Sequence, residues 1–211
     1  DLLLRTGMDT AVGRVDRANR RTTGLVGLDL ALDGGFPKGT TIIAVGTAIN
    51  GLDLFAGQFW KGEGETPEEG CYLMLDTEPG EGMTDLRGVD PEQFTGLMHG
   101  QRVVVDSLSS VILAYGIEKA LGLVRKASVF AVENEANVLF LLYAGIHAPE
   151  DEIRIFRAAD GILDLKQTIE GSEVERKMGI FKMKGLDLPR QLVPYNITAE
   201  GLELSTTKRV V

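Results

Sequence analysis

Thr41-Ile42-Ile43-Ala44-Val45 is an unbroken apolar run, and glycines follow at Gly46 and Gly51. A helical pattern from Leu52 to Lys61 comes next, so the stretch predicts a buried strand, a glycine turn and a helix in immediate succession. That succession constrains the chain strongly. It aims the N-terminus of a helix, with its partial positive charge, at the space beyond the end of a strand, where an anion is favoured.

The residues of the turn then decide what it holds. In the pattern G-x-x-x-x-G-K-S/T, backbone N–H groups cradle phosphate, the lysine reaches the outer phosphates and the hydroxyl binds magnesium. Here Gly46-Thr47-Ala48-Ile49-Asn50-Gly51-Leu52-Asp53 keeps both glycines at that spacing, but Leu52 takes the lysine position and Asp53 the hydroxyl position. Asn50 is expected to cap the helix. Asp53 is expected in its first turn, where a carboxylate complements the dipole and fills the slot a phosphate would take. Two unit charges about 5 Å apart interact by roughly 3 kcal/mol at an effective dielectric near 20, so losing a lysine and gaining an aspartate each weaken triphosphate binding by about that much. Ile49 adds a backbone objection, because a β-branched residue resists the positive φ such loops often use. The competing reading is an ordinary strand-to-helix turn that never held phosphate.

Length and composition set the limits. With 211 residues, 44% of them hydrophobic, one α/β domain with a full core is the default. No apolar run approaches the roughly 20 residues that cross a bilayer, and Asp1-Leu2-Leu3-Leu4-Arg5 is too short for a signal peptide. The chain opens without methionine, which leaves room for an upstream segment. Cys71 is the only cysteine, which excludes an intrachain disulfide and fits a reducing cytoplasm; it is expected buried in a strand. His99 and His147 stand far apart without cysteine neighbours, so no metal site is expected. A net charge of −9 argues against a broad nucleic-acid surface. The exception is Arg14, Arg17, Arg20 and Arg21, a basic run that reads either as a solvated segment or as a partner contact.

Further along, Gly70 to Leu75 reads as a second strand ending at the acidic turn Asp76-Thr77-Glu78-Pro79, and Arg102 to Asp106 as a third. A helical pattern over Ser109 to Glu135 is interrupted near Gly116, and Asn137 to Tyr143 is apolar enough for a central parallel strand. Strands and helices alternating in this way predict βαβ units. Short segments at Gly161 to Lys166, Arg176 to Lys184, Leu192 to Thr198 and Gly201 to Leu204 then predict antiparallel hairpins that extend the sheet.

Several blocks carry a family resemblance. Thr23-Gly24-Leu25-Val26-Gly27-Leu28-Asp29 with Gly34-Gly35-Phe36-Pro37-Lys38-Gly39, then Val103-Val104-Val105-Asp106-Ser107, then Ala159 to Leu165, Phe181-Lys182-Met183-Lys184-Gly185 and Pro194-Tyr195-Asn196-Ile197-Thr198 follow one another in order. Over Thr22 to Leu204 this resembles the RecA superfamily, and within it the KaiC-like and RadA-like ATPases abundant in archaea. The resemblance implies a RecA-like P-loop NTPase fold: a mostly parallel central sheet flanked by helices, with C-terminal antiparallel strands. It implies one domain over 22–211 after an N-terminal segment over 1–21. Asp106 matches the Walker B aspartate, which in active members helps hold magnesium. Lys182 and Lys184 match a segment that in KaiC-like proteins reaches a neighbouring subunit's nucleotide, with Lys184 where the family has arginine. The departures are equally plain. Active members carry paired glutamates after the second strand, whereas Leu75-Asp76-Thr77-Glu78-Pro79 puts Thr77 at the catalytic position.

Three functions follow as alternatives. The first is a pseudo-ATPase with no cofactor and no metal, acting through protein partners and as a homo-oligomer in regulation or signal transduction, without a membrane. The second is a divergent ATPase using ATP and Mg2+, with Lys38, Lys61 or a neighbour's Lys182 replacing the missing lysine, Asp76 or Glu78 as base and Asp106 on the metal. The third is a DNA-recombination accessory that binds through its N-terminal arginines.

Overall fold

The computed structural model describes residues 17–63, 68–187 and 192–205. In chain order the elements are β1 (Arg20–Arg21), α1 (Val26–Ala31), β2 (Phe36–Pro37), β3 (Thr40–Gly46), α2 (Leu52–Lys61), β4 (Gly70–Met74) and β5 (Thr84–Asp85). There follow α3 (Phe94–Leu97), β6 (Arg102–Asp106), α4 (Leu108–Tyr115), α5 (Ile117–Glu133), β7 (Asn137–Tyr143) and α6 (Pro149–Ala158). Strands β8 (Gly161–Glu170), β9 (Glu173–Met183), β10 (Val193–Thr198) and β11 (Gly201–Leu204) complete the chain.

Nine strands form one sheet in the order β11-β10-β9-β8-β3-β7-β6-β4-β5. The half from β8 to β5 is parallel, and β8 to β11 run antiparallel to one another as hairpins. The layout agrees with the expectation, with two differences: the short edge strand β5 was not expected, and one hairpin is longer. The β8–β9 hairpin runs well past the expected Lys166, pairing through Ile169 with Val174. Polar residues carry that extension, and hydropathy alone does not announce it.

Period-two alternation splits the central strands between two cores. Ile43, Val45, Leu73, Val103, Val105 and Phe140 face Val111, Leu121, Val124 and Ile155 of α4 to α6. Ile42, Ala44, Tyr72, Val104, Leu139 and Leu141 face Leu28 of α1 and Leu52, Phe55 and Phe59 of α2. Helices therefore cover both sides, and the parallel strands' C-terminal ends converge on one edge, where α/β sheets place their ligands. Gly116, at φ 85°, breaks the α4–α5 path where the sequence predicts an interruption. Helix α6 was not anticipated, although Pro149 and three acidic residues open it and Arg157 closes it.

The amino-terminal side is fastened by charge. Arg20–Arg21 pair with Phe36–Pro37, and the buried Arg21 guanidinium donates to Glu68 at 2.8 Å, to Asn137 Oδ1 and to the Glu135 carbonyl. Arg102 reaches Glu68 from the other side at 3.0 Å. Arg21 is thus an internal strut where the sequence left a solvated or partner-binding residue open, and Arg14 lies outside the described residues. Cys71 is buried and free, as expected. Among the described residues no helix is long and apolar enough to cross a membrane.

Candidate functional site

The turn between β3 and α2 is closed by its own side chains. Asn50 does not cap α2. Its Oδ1 accepts the Thr47 backbone N–H at 3.0 Å, its amide donates to the Leu165 carbonyl of β8, and the Tyr195 hydroxyl donates to its carbonyl at 2.6 Å. The helix begins instead behind Gly51, whose φ of 89° is left-handed and whose Cβ, were there one, would lie 2.7 Å from Leu202. Gly46 is needed for a similar reason, since a Cβ there would meet Asn50 Oδ1 at 2.7 Å. Ile49 carries none of the positive φ, so the steric objection raised from sequence does not arise; its side chain stands 69% exposed.

The slot inside the turn is therefore filled by an amide oxygen, not by the Asp53 carboxylate. Asp53 lies in the first turn of α2 and is exposed. Leu52, at the lysine position, is 1% exposed and belongs to the apolar core.

Beside the turn opens a recess of about 320 Å³. Thr47, Ala48, Leu52 and Asp53 form one wall, Tyr72, Met74, Asp76 and Thr77 another, with Asp106 and Tyr143 between. Among the described residues no lysine, arginine or histidine lines it. The register explains the grouping: Met74 lies opposite Asp106 and Tyr72 opposite Val104, on the α2 side of the sheet. The Tyr72 hydroxyl donates to Asp106 Oδ2 at 2.7 Å, and Trp60 braces the Tyr72 ring edge-on at 5.3 Å. Asp106 is 4% exposed and its Oδ1 has no hydrogen-bond partner. Burial pushes its pKa up to about 6, with Asp76 and Asp53 adding to the rise and the Tyr72 hydrogen bond opposing it. Burial and the Asp106 charge likewise raise both Tyr72 and Tyr143, so each hydroxyl remains a neutral donor.

Asp76 reaches the recess but is engaged elsewhere. Its carboxylate accepts the Ser107 N–H at 3.0 Å, the Ser107 hydroxyl at 2.8 Å and the Ser110 hydroxyl, which fastens it to the N-terminus of α4. The Asp106–Ser107 peptide bond between these groups is cis. Glu78 does not line the recess; Arg87 holds it bidentately at 2.7 and 3.1 Å, and that hydrogen bond keeps its carboxyl below the usual range. The two candidate bases are thus separated: one holds a helix, the other faces away.

The candidate lysines are dispersed as well. Lys182 donates to the carbonyls of Phe156, Arg157 and Ala159 at the C-terminal end of α6 within its own chain. Lys184 lies 3.8 Å from Asp160 and lines a different cavity, with Lys38 and Arg20, where β3 begins. Lys61 ends α2, nine residues and about 13 Å along the helix from Leu52. His147 accepts from or donates to Ser109 Oγ at 2.7 Å, which in turn accepts the Tyr143 N–H. Among the described residues no group of three or more His, Cys, Asp or Glu is placed to hold a metal ion. Sequence reasoning missed Tyr72, Tyr143 and Tyr195; counting alternate residues back from Asp106 across the paired strands was the signal for Tyr72.

No sequence profile of a known protein family matches this chain, and no curated protein matches it. In three dimensions it is similar to the crystal structure of a KaiC-like protein from the hyperthermophilic archaeon Pyrococcus horikoshii OT3, with a TM-score of 0.72 and 23% identity, over 88% of this chain and 99% of that one. At that identity the likeness speaks for architecture alone, and the architecture, a mostly parallel sheet flanked by helices with antiparallel C-terminal strands, is that of a RecA-like fold.

Proposed function

We propose that this chain is a RecA-fold pseudo-ATPase, which has kept the nucleotide scaffold, lost the nucleotide chemistry and acts by associating with a protein partner in regulation or signal transduction. One observation carries the reading: among the described residues, the place where a triphosphate and its magnesium would lie is lined by Asp53, Asp76 and Asp106 and by no cation. Three further features support it. The Thr47 N–H is turned onto Asn50, Leu52 is buried where a lysine is required, and Glu78 is drawn to Arg87. Phosphoryl transfer rests on positioned phosphates, a metal and an oriented water. The residues present do not fit Mg-ATP, and no catalytic step is derived through it. The spatial likeness to a KaiC-like protein agrees with descent from a nucleotide-binding ancestor.

Phosphate release in the presence of ATP and magnesium tests the catalytic half. The natural chain is expected at the buffer background. The Leu52→Lys, Asp53→Thr double variant is expected to recover at most weak turnover, because residue 52 faces the core and Asn50 still closes the turn. Steady turnover by the natural chain would overturn the proposal.

A further inference from the structure

The recess beside α2 ends on a buried acceptor with nothing to accept. Asp106 lines the recess and is itself buried; among the described residues its Oδ1 has no hydrogen-bond partner, while Oδ2 is taken by Tyr72. A buried polar atom of this kind is costly unless something pairs with it. Asp53 adds a second carboxylate on the wall, and Asp76, though fastened to Ser107 and Ser110, adds a third negative charge. The field inside therefore has one sign, and it selects a cation. A metal ion is a poor guest, because no group of three ligating side chains is assembled among the described residues. A cation carried on an apolar stem is a better one: Leu52, Met74 and Met83 line the walls beside Tyr72 and Tyr143, whose rings also favour a cation. The volume, about 320 Å³, equals roughly ten waters' share of liquid and admits one long side chain.

The mouth points to a protein as the source of that side chain. Ala48 of the lining is exposed, and the residues next in the chain to the lining residues Ala48 and Asp53, Ile49 and Leu54, are 69% and 39% exposed, so apolar groups stand on the same turn and first helical turn as the lining. A charged pocket beside exposed apolar groups suits a basic side chain delivered by a polypeptide. We propose that the recess receives an arginine side chain of a partner protein, its guanidinium meeting Asp106 Oδ1 and Asp53. The guanidinium supplies donors in several directions at once, which two separated carboxylates require. This rests on the reading of the protein as an association module and names the chemistry of its partner.

The test uses N-acetyl-argininamide as the probe in an amide NMR titration of the whole chain, with the neutral isostere N-acetyl-citrullinamide as control. Saturable shifts are expected at Thr47, Asp53, Tyr72 and Tyr143, with a dissociation constant on the order of millimolar for a single side chain. Asp106→Asn and, separately, the exposed Asp53→Asn are each expected to weaken binding by about tenfold. The citrulline probe is expected to produce no saturable shift. No shifts with argininamide, equal shifts with both probes, or shifts unchanged in both variants would overturn the proposal. Magnesium chloride alone moving the same amides, with loss of argininamide binding, would also overturn it in favour of a metal. Failure here with no binding of Mg-ATP sinks only the arginine assignment, whereas Mg-ATP binding sinks the reading beneath it.

Discussion

Asp106 is where burial and charge conflict most sharply. The folded protein holds its proton up to about pH 6, whereas an unfolded aspartate releases it near pH 4. Between those values the native state binds more protons, so stability falls as pH rises through the window and stays lowered above it. Among the described residues, Asp53, Asp76, Tyr72 and Tyr143 are the ionisable groups that share its recess, and none is cationic. Asp106→Asn keeps an acceptor for Tyr72 and removes the charge. In urea denaturation it is expected to match the natural protein near about pH 4 and exceed it by about 2 kcal/mol near about pH 8. Equal stability at both would contradict the account. Asn50 makes the opposite case, because both polar ends of its side-chain amide and its carbonyl oxygen are engaged in the buried turn. Asn50→Ala leaves the Leu165 carbonyl and the Thr47 N–H without partners and is expected to cost about 2 kcal/mol, measured in the same way. The sequence placed Asn50 correctly and misread its task. An asparagine before a helix serves equally as a cap or as a turn lock, and the Leu165 carbonyl that decides between them is 115 residues away.

Among elements, β3, β4, β6 and β7 were legible because each has a largely apolar run, whereas the two-residue, polar β5 was not. The amphipathic pieces were less legible. Helix α6 was overlooked because its exposed face is dense in charge, though its ends carry ordinary start and stop signals. The outer half of β8 and the start of β9 were overlooked because polar residues predominate there and the paired Ile169 and Val174 stand exposed, so pairing rather than burial holds them. The basic amino-terminal run misled for a related reason: composition shows a cluster, and only the fold shows that Arg21 points inward. Its partner Glu68 is shared with Arg102, and both guanidinium groups are almost fully buried, at 3% and 4% side-chain exposure. Burial works to raise the Glu68 carboxyl, and the two arginines outweigh it and leave it below its ordinary value. Its contribution is therefore present at neutral pH and lost as pH falls through that lowered value. Glu68→Gln strips a counter-charge from two buried cations and is expected to cost about 2–3 kcal/mol, seen as a fall in Tm of roughly 5–10 °C at neutral pH. A change within about 1 °C would show that the pair is dispensable.

At the scale of the whole molecule, a RecA-like sheet delivers the β3–α2 turn and the ends of β4, β6 and β7 to one edge, whatever occupies them. Fold and chemistry are thereby separable. The sequence declared the fold through blocks spread over most of the chain, and the β3–α2 turn departs from the phosphate-loop pattern at two positions, Leu52 and Asp53. It did not declare the recess, because Tyr72, Asp106 and Tyr143 meet only through strand order. Within one chain the same geometry keeps Lys38 and Lys61 out of the recess lining, with Lys38 at the edge where β3 begins and Lys61 at the far end of α2. The central claim is that this edge repels a triphosphate. Calorimetric titration of the natural chain with Mg-ATP at neutral pH tests it most directly. Heat indistinguishable from dilution is expected, which places any dissociation constant weaker than about 1 mM, and a saturable isotherm with a micromolar constant would contradict it.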